Sequence, residues 1–232
     1  MNDLIDKGGI AHRLRTPLNG LIGFLSLLKD GYHSLSEEER IQYIAFCHTG
    51  ANNLLELLNE LISLARMTSA GVVDYKEVNI HDELAKVLEM ANPQIVEKEL
   101  VIEEVDTDIN ISSSPVMVGF ILQNLIDNAV KFSYEKGLVL VKATPVEEDQ
   151  KKFLEISVTD HGAGMTAYTQ TKIFHEVHST KGAYKEPGNG IGLFGCVPLI
   201  HKLGGKIWGE SAGEKQGSTF HFTLPIVIAK PK

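Results

Sequence analysis

The 232-residue sequence is poor in cysteine, in long apolar runs and in positive charge. Its two cysteines, Cys47 and Cys196, give no disulfide framework and fit a reducing compartment, so we expect a cytoplasmic location. The longest apolar runs fall far short of the ~20 residues that span a bilayer, and no membrane contact is expected within this segment. A net charge of −8 argues against nucleic acid as a partner, because its binders present a basic face.

The composition fits a globular protein of two modest domains. Hydrophobic residues make up 43% of the chain and charged residues 22%. Apolar residues at helical spacing stop near Met67, where small residues cluster. We therefore predict a helical domain over residues 1–68, a linker over 69–73 and an α/β domain over 74–228.

Two series of apolar residues at spacings of three and four predict two long helices in the N-terminal third. Gly31 and the Ser36/Glu39 pair predict the end of the first helix and a capping box at the start of the second. Such a hairpin exposes more apolar surface than it can bury alone, so we expect a homodimer that forms a four-helix bundle. The series are Ala11, Leu14, Leu18, Leu21, Leu25 and Leu28, then Ile41, Ile44, His48, Ala51, Leu55, Leu58, Ile62 and Ala65.

Four separated segments rich in glycine or asparagine mark the rest of the chain: residues 124–132, 160–164, 188–193 and 213–220. In the first, Asn124, Asn128 and Lys131 fall at i, i+4 and i+7 of an apolar-periodic segment and so share one helix face. An asparagine oxygen suits Mg²⁺, which takes its other oxygens from water and phosphates. Asn128 is the predicted metal ligand, and the positive charge of Lys131 would balance negative charge on the phosphates.

The second and third segments supply a carboxylate and flexible backbone. Asp160 ends an alternating run, residues 153–159, which places it at a strand end, where it can accept from an exocyclic amine and so distinguish adenine from guanine. Gly162 and Gly164 allow close approach to a base and positive φ. Gly188, Gly190 and Gly192 precede an apolar segment, residues 193–203, whose first backbone N–H groups can cradle phosphates.

The four segments resemble the N, G1, G2 and G3 boxes of the ATP-binding domain of sensor histidine kinases, in the superfamily of the gyrase, Hsp90 and MutL ATPases. Residues 173–177, Ile-Phe-His-Glu-Val, resemble the F box. The resemblance implies an α+β fold in which the hairpin precedes an α/β sandwich with a mixed sheet, and it implies that ATP lies beneath a mobile lid at about residues 175–189. It also implies ATP contacts from Phe132, Phe174, Leu193 and Thr219.

One position separates subclasses of that superfamily. Its hydrolysing members carry a glutamate at the first N-box position to activate water. This chain has Asn124, whose amide cannot act as a general base at neutral pH. An ATPase clamp is therefore a weaker hypothesis than a kinase, which must spare the γ-phosphoryl group from water.

Residues 11–18, Ala-His-Arg-Leu-Arg-Thr-Pro-Leu, resemble the H box of dimerising phosphoacceptor domains. His12 is then the phosphoacceptor, and it lies one residue past Ala11, hence rotated about 100° toward solvent. Its neutral imidazole can attack the γ-phosphorus, and an aspartate of a response regulator receiver domain would later take the group. By the same resemblance, Thr16 orients water in dephosphorylation of that regulator, or merely packs near a kink at Pro17.

Arg13 departs from the H-box pattern, in which the residue after the histidine is usually acidic and is thought to accept the imidazole proton. An arginine is permanently protonated and cannot be that base. The leading hypothesis is an autokinase that uses Mg-ATP, and Arg13 could stabilise phosphoryl charge in it. The alternative is a nucleotide-binding regulatory module or response-regulator phosphatase with weak or no autokinase activity. The sequence leaves open whether the segment is the cytosolic part of a longer membrane-bound sensor.

Overall fold

A computed structural model describes residues 10–69, 71–174 and 192–226, except for the side chain of His12. The described residues divide into two compact units. The first comprises residues 10–66, and the second begins at residue 67 and contains the rest. None of the described helices is both long and apolar enough to cross a membrane.

The first unit is a helical hairpin of α1 (Ile10–Gly31) and the greater part of α2 (Glu37–Ser69). The predicted capping box is present, because Ser36 N donates to Glu39 Oε2 at 2.8 Å and Glu39 N donates to Ser36 Oγ at 3.2 Å. These two bonds use backbone donors that a helix start would otherwise leave unpaired. The predicted hairpin is thus confirmed.

Each helix of the hairpin carries two apolar stripes. The inner stripe of α2 contains the buried Leu57 and Leu64 and holds Tyr43, whose ring lies 5.5 Å from that of Phe24 on α1. The predicted α2 series lies on the outer side of the helix, away from Leu57 and Leu64, and its large residues face solvent in the single chain. Its large members are between 41% and 61% exposed: Ile41, Ile44, Leu55, Leu58 and Ile62. On α1 the predicted series divides: Ala11, Leu18 and Leu25 are exposed in the single chain, whereas Leu14, Leu21 and Leu28 are partly buried.

The second unit begins with a small separate sheet. Strand β1 (Lys76–Asn79) pairs antiparallel with β3 (Asn110–Ser113). Between them come α3 (Ile80–Glu97) and β2 (Val101–Val105). Asn79 caps α3, because its side chain accepts from Asp82 N at 3.1 Å.

A five-stranded mixed sheet forms the centre of the second unit, in the order β2-β4-β5-β7-β6. Strand β2 runs parallel to β4, and every other pairing is antiparallel. The elements that complete the unit are α4 (Pro115–Phe132), β4 (Leu138–Glu148), β5 (Lys151–Asp160), α5 (Ala167–Lys172), α6 (Gly192–Lys202), β6 (Ile207–Glu210) and β7 (Ser218–Pro225).

Helix α4 packs against the helices α3 and α6 and against strand β5 of the sheet, and its apolar face is buried. Alternate residues of the central strands are buried on one face, as period-two side chains require: Val139, Val141, Ala143, Leu154, Ile156, Val158, Phe220, Phe222 and Leu224. The predicted α+β class, a helical hairpin followed by an α/β sandwich with a mixed sheet, is confirmed. The C-terminal ends of β5 and α4 and the N-terminal end of β7 meet at one edge, where the candidate site lies.

Candidate functional site

Helix α4 presents a polar face made of Asn124, Asn128 and Lys131. All three are partly exposed, whereas the apolar face of the helix is buried. Asn124 Nδ2 donates to Phe120 O at 2.7 Å, which leaves Oδ1 to face away from that bond. A Cβ at Gly192 would overlap Asn124 Oδ1, so only glycine lets the start of α6 approach this amide. Asn124 thus lies where α4 and the N-terminus of α6 meet.

The Asp160 carboxylate is almost completely shielded from solvent. Asp160 is the last residue of β5 and is 3% exposed. Burial raises its pKa to about 6, although the backbone N–H groups of Gly162 and Ser218 partly oppose the rise by donating to the carboxylate. Gly162 N lies 3.0 Å from Asp160 Oδ1. An ionised carboxylate in such surroundings favours a ligand that brings a further donor.

The loop after β5 interlocks with two other segments. Gly162 forms an isolated antiparallel bridge with Ser133, and Ala163 N donates to Phe132 O at 3.1 Å, which ties the loop to the end of α4. Gly217 N donates to Gly162 O at 3.0 Å, which ties it to the loop before β7. Gly164 has a φ of +66° and lies against Gly213 O. The structure therefore brings the predicted Phe132, Asp160, Gly162 and Gly164 together.

We expect Gly162→Ala to lower the free energy of unfolding by about 3 kcal/mol or more, because the new Cβ would overlap Phe132 O and come within 2.9 Å of Asp160 Oδ1. Gly119→Ala is the matched control. Its Cβ would meet only Glu83 Oε2 at 3.5 Å, and alanine favours a helix interior by about 0.5–1 kcal/mol. Urea unfolding of both variants measures the difference, and equal stabilities would contradict the close approach at Gly162.

The structure places Thr219 differently from the other predicted contacts. Directly paired residues of antiparallel strands point to the same face, so Asp160 shares its face with Ser218, and Thr159 shares the opposite face with Thr219. The hydroxyl oxygens of Thr159 and Thr219 lie 3.0 Å apart. The side chain beside the Asp160 carboxylate is accordingly that of Ser218, which is 8% exposed, and not that of Thr219.

Ser211 joins the loops at the site and is not apparent from the sequence. Its hydroxyl donates to Gly217 O at 2.6 Å and accepts from Met165 N at 2.9 Å. Gln170 Nε2 donates to Ser211 O at 2.9 Å. A 470 Å³ cavity beside these loops includes Asp160, Ser211 and Thr219 in its lining. The only sequence signal is a polar residue directly after β6, two positions before Gly213.

Of the remaining predicted ATP-binding residues, the structure describes Phe174 and Leu193. Phe174 packs edge-to-face on Phe220, with ring centroids 6.1 Å apart. Leu193 is buried at the start of α6. Gly188, Gly190 and the expected lid at residues 175–189 lie outside the described residues.

Arg13 and Thr16 belong to the first unit, and the side chain of His12 is outside the description. Thr16 is exposed, and Arg13 is half-buried. Burial lowers the pKa of Arg13 from its ordinary value, and the charge of Glu60 on α2 acts in the opposite direction. The guanidinium therefore sits within the electrostatic field of a carboxylate on the other helix of the hairpin.

Two family matches cover most of the chain. Residues 113–228 match the family of histidine kinase-, DNA gyrase B- and HSP90-like ATPases, and residues 8–70 match the His Kinase A (phospho-acceptor) domain. The sensor protein GacS of Pseudomonas syringae pv. syringae is 30% identical over 227 residues, which are 95% of this chain and 25% of that protein. The hybrid signal transduction histidine kinase C of Dictyostelium discoideum is 27% identical over 94% of this chain and 18% of its own length. The chain thus spans about a quarter or less of these relatives.

Solved structures share the architecture. Full-length ShkA in complex with AMPPNP is 30% identical, with a TM-score of 0.66, and the match covers 95% of this chain and 45% of that one. Histidine kinase ThkA in complex with the response regulator protein TrrA is 22% identical, with a TM-score of 0.71 over 94% of this chain and 60% of that one. The second likeness concerns the fold alone.

Proposed function

This chain belongs to the histidine kinases, with a His Kinase A phosphoacceptor domain followed by an ATP-binding domain of the gyrase and HSP90 type, and from that premise we propose its reaction. It binds Mg-ATP, is phosphorylated on His12 and passes the phosphoryl group to an aspartate of a response regulator receiver domain. The observation that carries the proposal is the buried Asp160 carboxylate among interlocked glycine loops, beside a helix that presents Asn124, Asn128 and Lys131.

Asp160 supports adenine as the base. With a pKa of about 6 the carboxyl is mostly ionised at neutral pH and acts only as an acceptor. The exocyclic amine of adenine is a donor, whereas guanine presents an oxygen at the corresponding position. Full-length ShkA, at 30% identity, was solved with the ATP analogue AMPPNP, which favours the same ligand class here.

The polar face of α4 fits a hydrated magnesium ion. Amide oxygens of Asn128 and Asn124 are hard neutral ligands, and Lys131 adds a positive charge on the same face. Asn128 remains our choice of metal ligand. When bound, Mg²⁺ would neutralise phosphate charge as the γ-phosphoryl group is transferred.

Asn124 supports transfer to a protein side chain rather than to water. Its amide cannot take a proton from water, and its Nδ2 is engaged with Phe120 O of its own helix. The γ-phosphoryl group would then stay on ATP until a protein nucleophile attacks it, and we assign His12 as that nucleophile. The match to the His Kinase A (phospho-acceptor) domain favours a response regulator as the next acceptor.

The exposed outer stripe of the hairpin supports a homodimer. Ile41, Ile44, Leu55, Leu58 and Ile62 on α2 and Leu18 and Leu25 on α1 leave large apolar side chains in water in the single chain. Pairing with the same stripe of a second copy would bury them in a four-helix bundle. Sedimentation equilibrium of the purified chain decides between monomer and dimer.

Incubation of the purified chain with γ-labelled ATP and Mg²⁺ tests the proposed reaction. We expect label on the protein that is lost in acid and kept in base, as a phosphoramidate requires, and that moves to a receiver domain when one is added. Chelation of Mg²⁺ should abolish the labelling. Release of free phosphate without protein labelling would instead identify an ATPase.

Arg13 favours a second candidate function, a nucleotide-binding module that acts on its partner mainly as a phosphatase. Arg13 cannot take the imidazole proton, although Glu60 places a carboxylate within its electrostatic field. If a missing base limits autophosphorylation, Arg13→Glu should raise the initial labelling rate about 100-fold, the lower end of what general-base help provides.

Lys29→Glu is the matched control for this variant, because Lys29 is exposed on the same helix about 25 Å further along its axis. It makes the same change of charge without placing a carboxylate next to His12. An equal response of both variants would point to net charge, and no response of Arg13→Glu would contradict the missing-base account.

A further inference from the structure

Lys98 ends one helix with its backbone and reaches another with its side chain. It is the C-cap residue of α3, and its N–H donates to Gln94 O at 3.1 Å. The next residue, Glu99, has a φ of 51°, and Leu100 N donates to Ile95 O at 3.0 Å, a left-handed helix termination. Lys98 O also accepts from Lys136 N at 2.8 Å. The backbone that carries this side chain is therefore fixed on both sides.

The ammonium group of Lys98 lies at the C-terminal end of α4. Its Nζ donates to Val130 O at 2.8 Å, Lys131 O at 2.6 Å and Ser133 O at 3.2 Å. The last carbonyls of a helix have no partner within the helix and carry its negative dipole end. An ammonium has three N–H donors, so its number of donors matches these three carbonyls.

The same turn of α4 positions the nucleotide site. It carries Lys131 and Phe132, and Phe132 O receives the Ala163 N–H of the loop that holds Asp160 and Gly162. Ser133 pairs with Gly162 in the isolated bridge. A change in this turn would therefore move the phosphate-facing lysine and the adenine-facing loop together.

We propose that Lys98 is a positioning residue of the nucleotide site, whose ammonium fixes the last turn of α4 and thereby the placement of Lys131 and of the loop at residues 160–164. This inference rests on the proposed function, since it concerns affinity for ATP. Lys98 acts through the carbonyls of α4 and does not itself touch the nucleotide.

Lys98→Met tests the proposal, because methionine keeps most of the length of the side chain and removes the donors and the charge. In the full chain we expect the Kd for AMPPNP, measured by calorimetry with Mg²⁺, to rise about tenfold, the lower end of the loss that follows at metal sites when the partner behind a ligand is removed. Without nucleotide, amide hydrogen exchange at residues 129–133 should accelerate and the amide resonance of Ala163 should shift. Lys98→Arg, which retains charge and donors, should recover part of the affinity.

Two controls separate positioning from general stability. Lys86→Met removes a lysine that pairs with Glu83 on the surface of α3, and it should leave all readouts near wild type. Val141→Ala removes methyl groups from a fully buried position on β4 and should lower the melting temperature while leaving the Kd within about twofold of wild type.

The outcomes distinguish this inference from the proposed function. If Lys98→Met lowers the melting temperature as Val141→Ala does but keeps the wild-type Kd, Lys98 is structural only and the inference is overturned. An unchanged Kd with unchanged exchange overturns it as well. A wild-type chain that binds no nucleotide would overturn the proposed function, while the exchange measurement, made without nucleotide, would still decide whether Lys98 fixes the turn.

Discussion

Asp160→Asn is expected to weaken ATP binding about 100-fold and, at the same time, to stabilise the nucleotide-free protein at neutral pH. The amide oxygen of asparagine would stay with the N–H groups that the carboxylate now accepts from, those of Gly162 and Ser218. Its NH₂ group would then face the exocyclic amine of adenine. Both groups are hydrogen-bond donors, so no hydrogen bond could form between them. Calorimetric titration with AMPPNP measures the loss of affinity.

The gain in stability follows from the pKa of Asp160. Burial raises this pKa from 3.8 to about 6, so the folded state holds the proton more tightly than the unfolded state. The stabilisation from protonated Asp160 is complete below pH 3.8 and is lost as the pH rises through about 6. At pH 7 the ionised carboxyl then costs about 3 kcal/mol, which asparagine avoids.

Thermal unfolding across pH 4 to 8 checks this second effect. Wild-type stability should fall relative to that of Asp160→Asn between pH 4 and pH 6, and the two curves should run parallel above. Asp74→Asn, at an exposed position, is the control for a change of net charge. A less stable Asp160→Asn protein with normal affinity would contradict both the pKa and the assigned role.

His12→Gln is expected to abolish the acid-labile label, a loss of more than about 1000-fold, with no more than about a twofold change in the Kd for AMPPNP. Glutamine offers a neutral polar side chain of similar length, but its amide is not a nucleophile. His33→Gln is the matched control, since His33 is exposed in the turn that joins the two helices of the same hairpin. Persistent label in His12→Gln would mean that another residue accepts the phosphoryl group.

The helices and strands of the second unit could largely be predicted from local patterns. The periodicity predicts a strand at residues 75–80 and a helix at 81–96, and the structure has Lys76–Asn79 and Ile80–Glu97. Ser113 or Ser114 followed by Pro115 predicts a helix start. Helix α4 begins at Pro115 with Ser114 as the N-cap, although the Ser114 side chain makes no capping bond. These features depend on residues close in sequence, which is why the sequence indicates them.

Features that depend on the choice of partner could not be predicted. The sequence treats β1 and β3 as strands of one sheet, but they pair only with each other. On α2 both stripes are apolar, so composition alone does not say which one packs inside the hairpin and which one faces a second copy. Pro198 predicts a bend or an end, yet α6 runs through it to Lys202, so tertiary packing offsets the missing hydrogen bond.

The residues of the site likewise fall into those that the sequence indicates and those that it does not. Asp160, Gly162 and Gly164 could be predicted because a strand end followed by glycines is a local signal. Lys98, Ser211 and Ser218 could not be predicted, because their roles depend on other parts of the chain. Lys98 and Ser211 donate to backbone carbonyls of other segments, and the Ser218 N–H donates to the Asp160 carboxylate. The separation of Ser218 from Thr219 required the strand register.

The interlocked glycine loops have a consequence for how specificity can evolve in this protein. Gly162, Gly164 and Gly217 each abut a backbone oxygen of another segment, so mutations there would disturb folding before they could alter a substrate. The carboxylate of Asp160 is the exception, since its exchange is expected to relieve instability. A change of purine specificity could therefore evolve by substitution of Asp160 alone, whereas substitutions at the surrounding glycines would destabilise the fold.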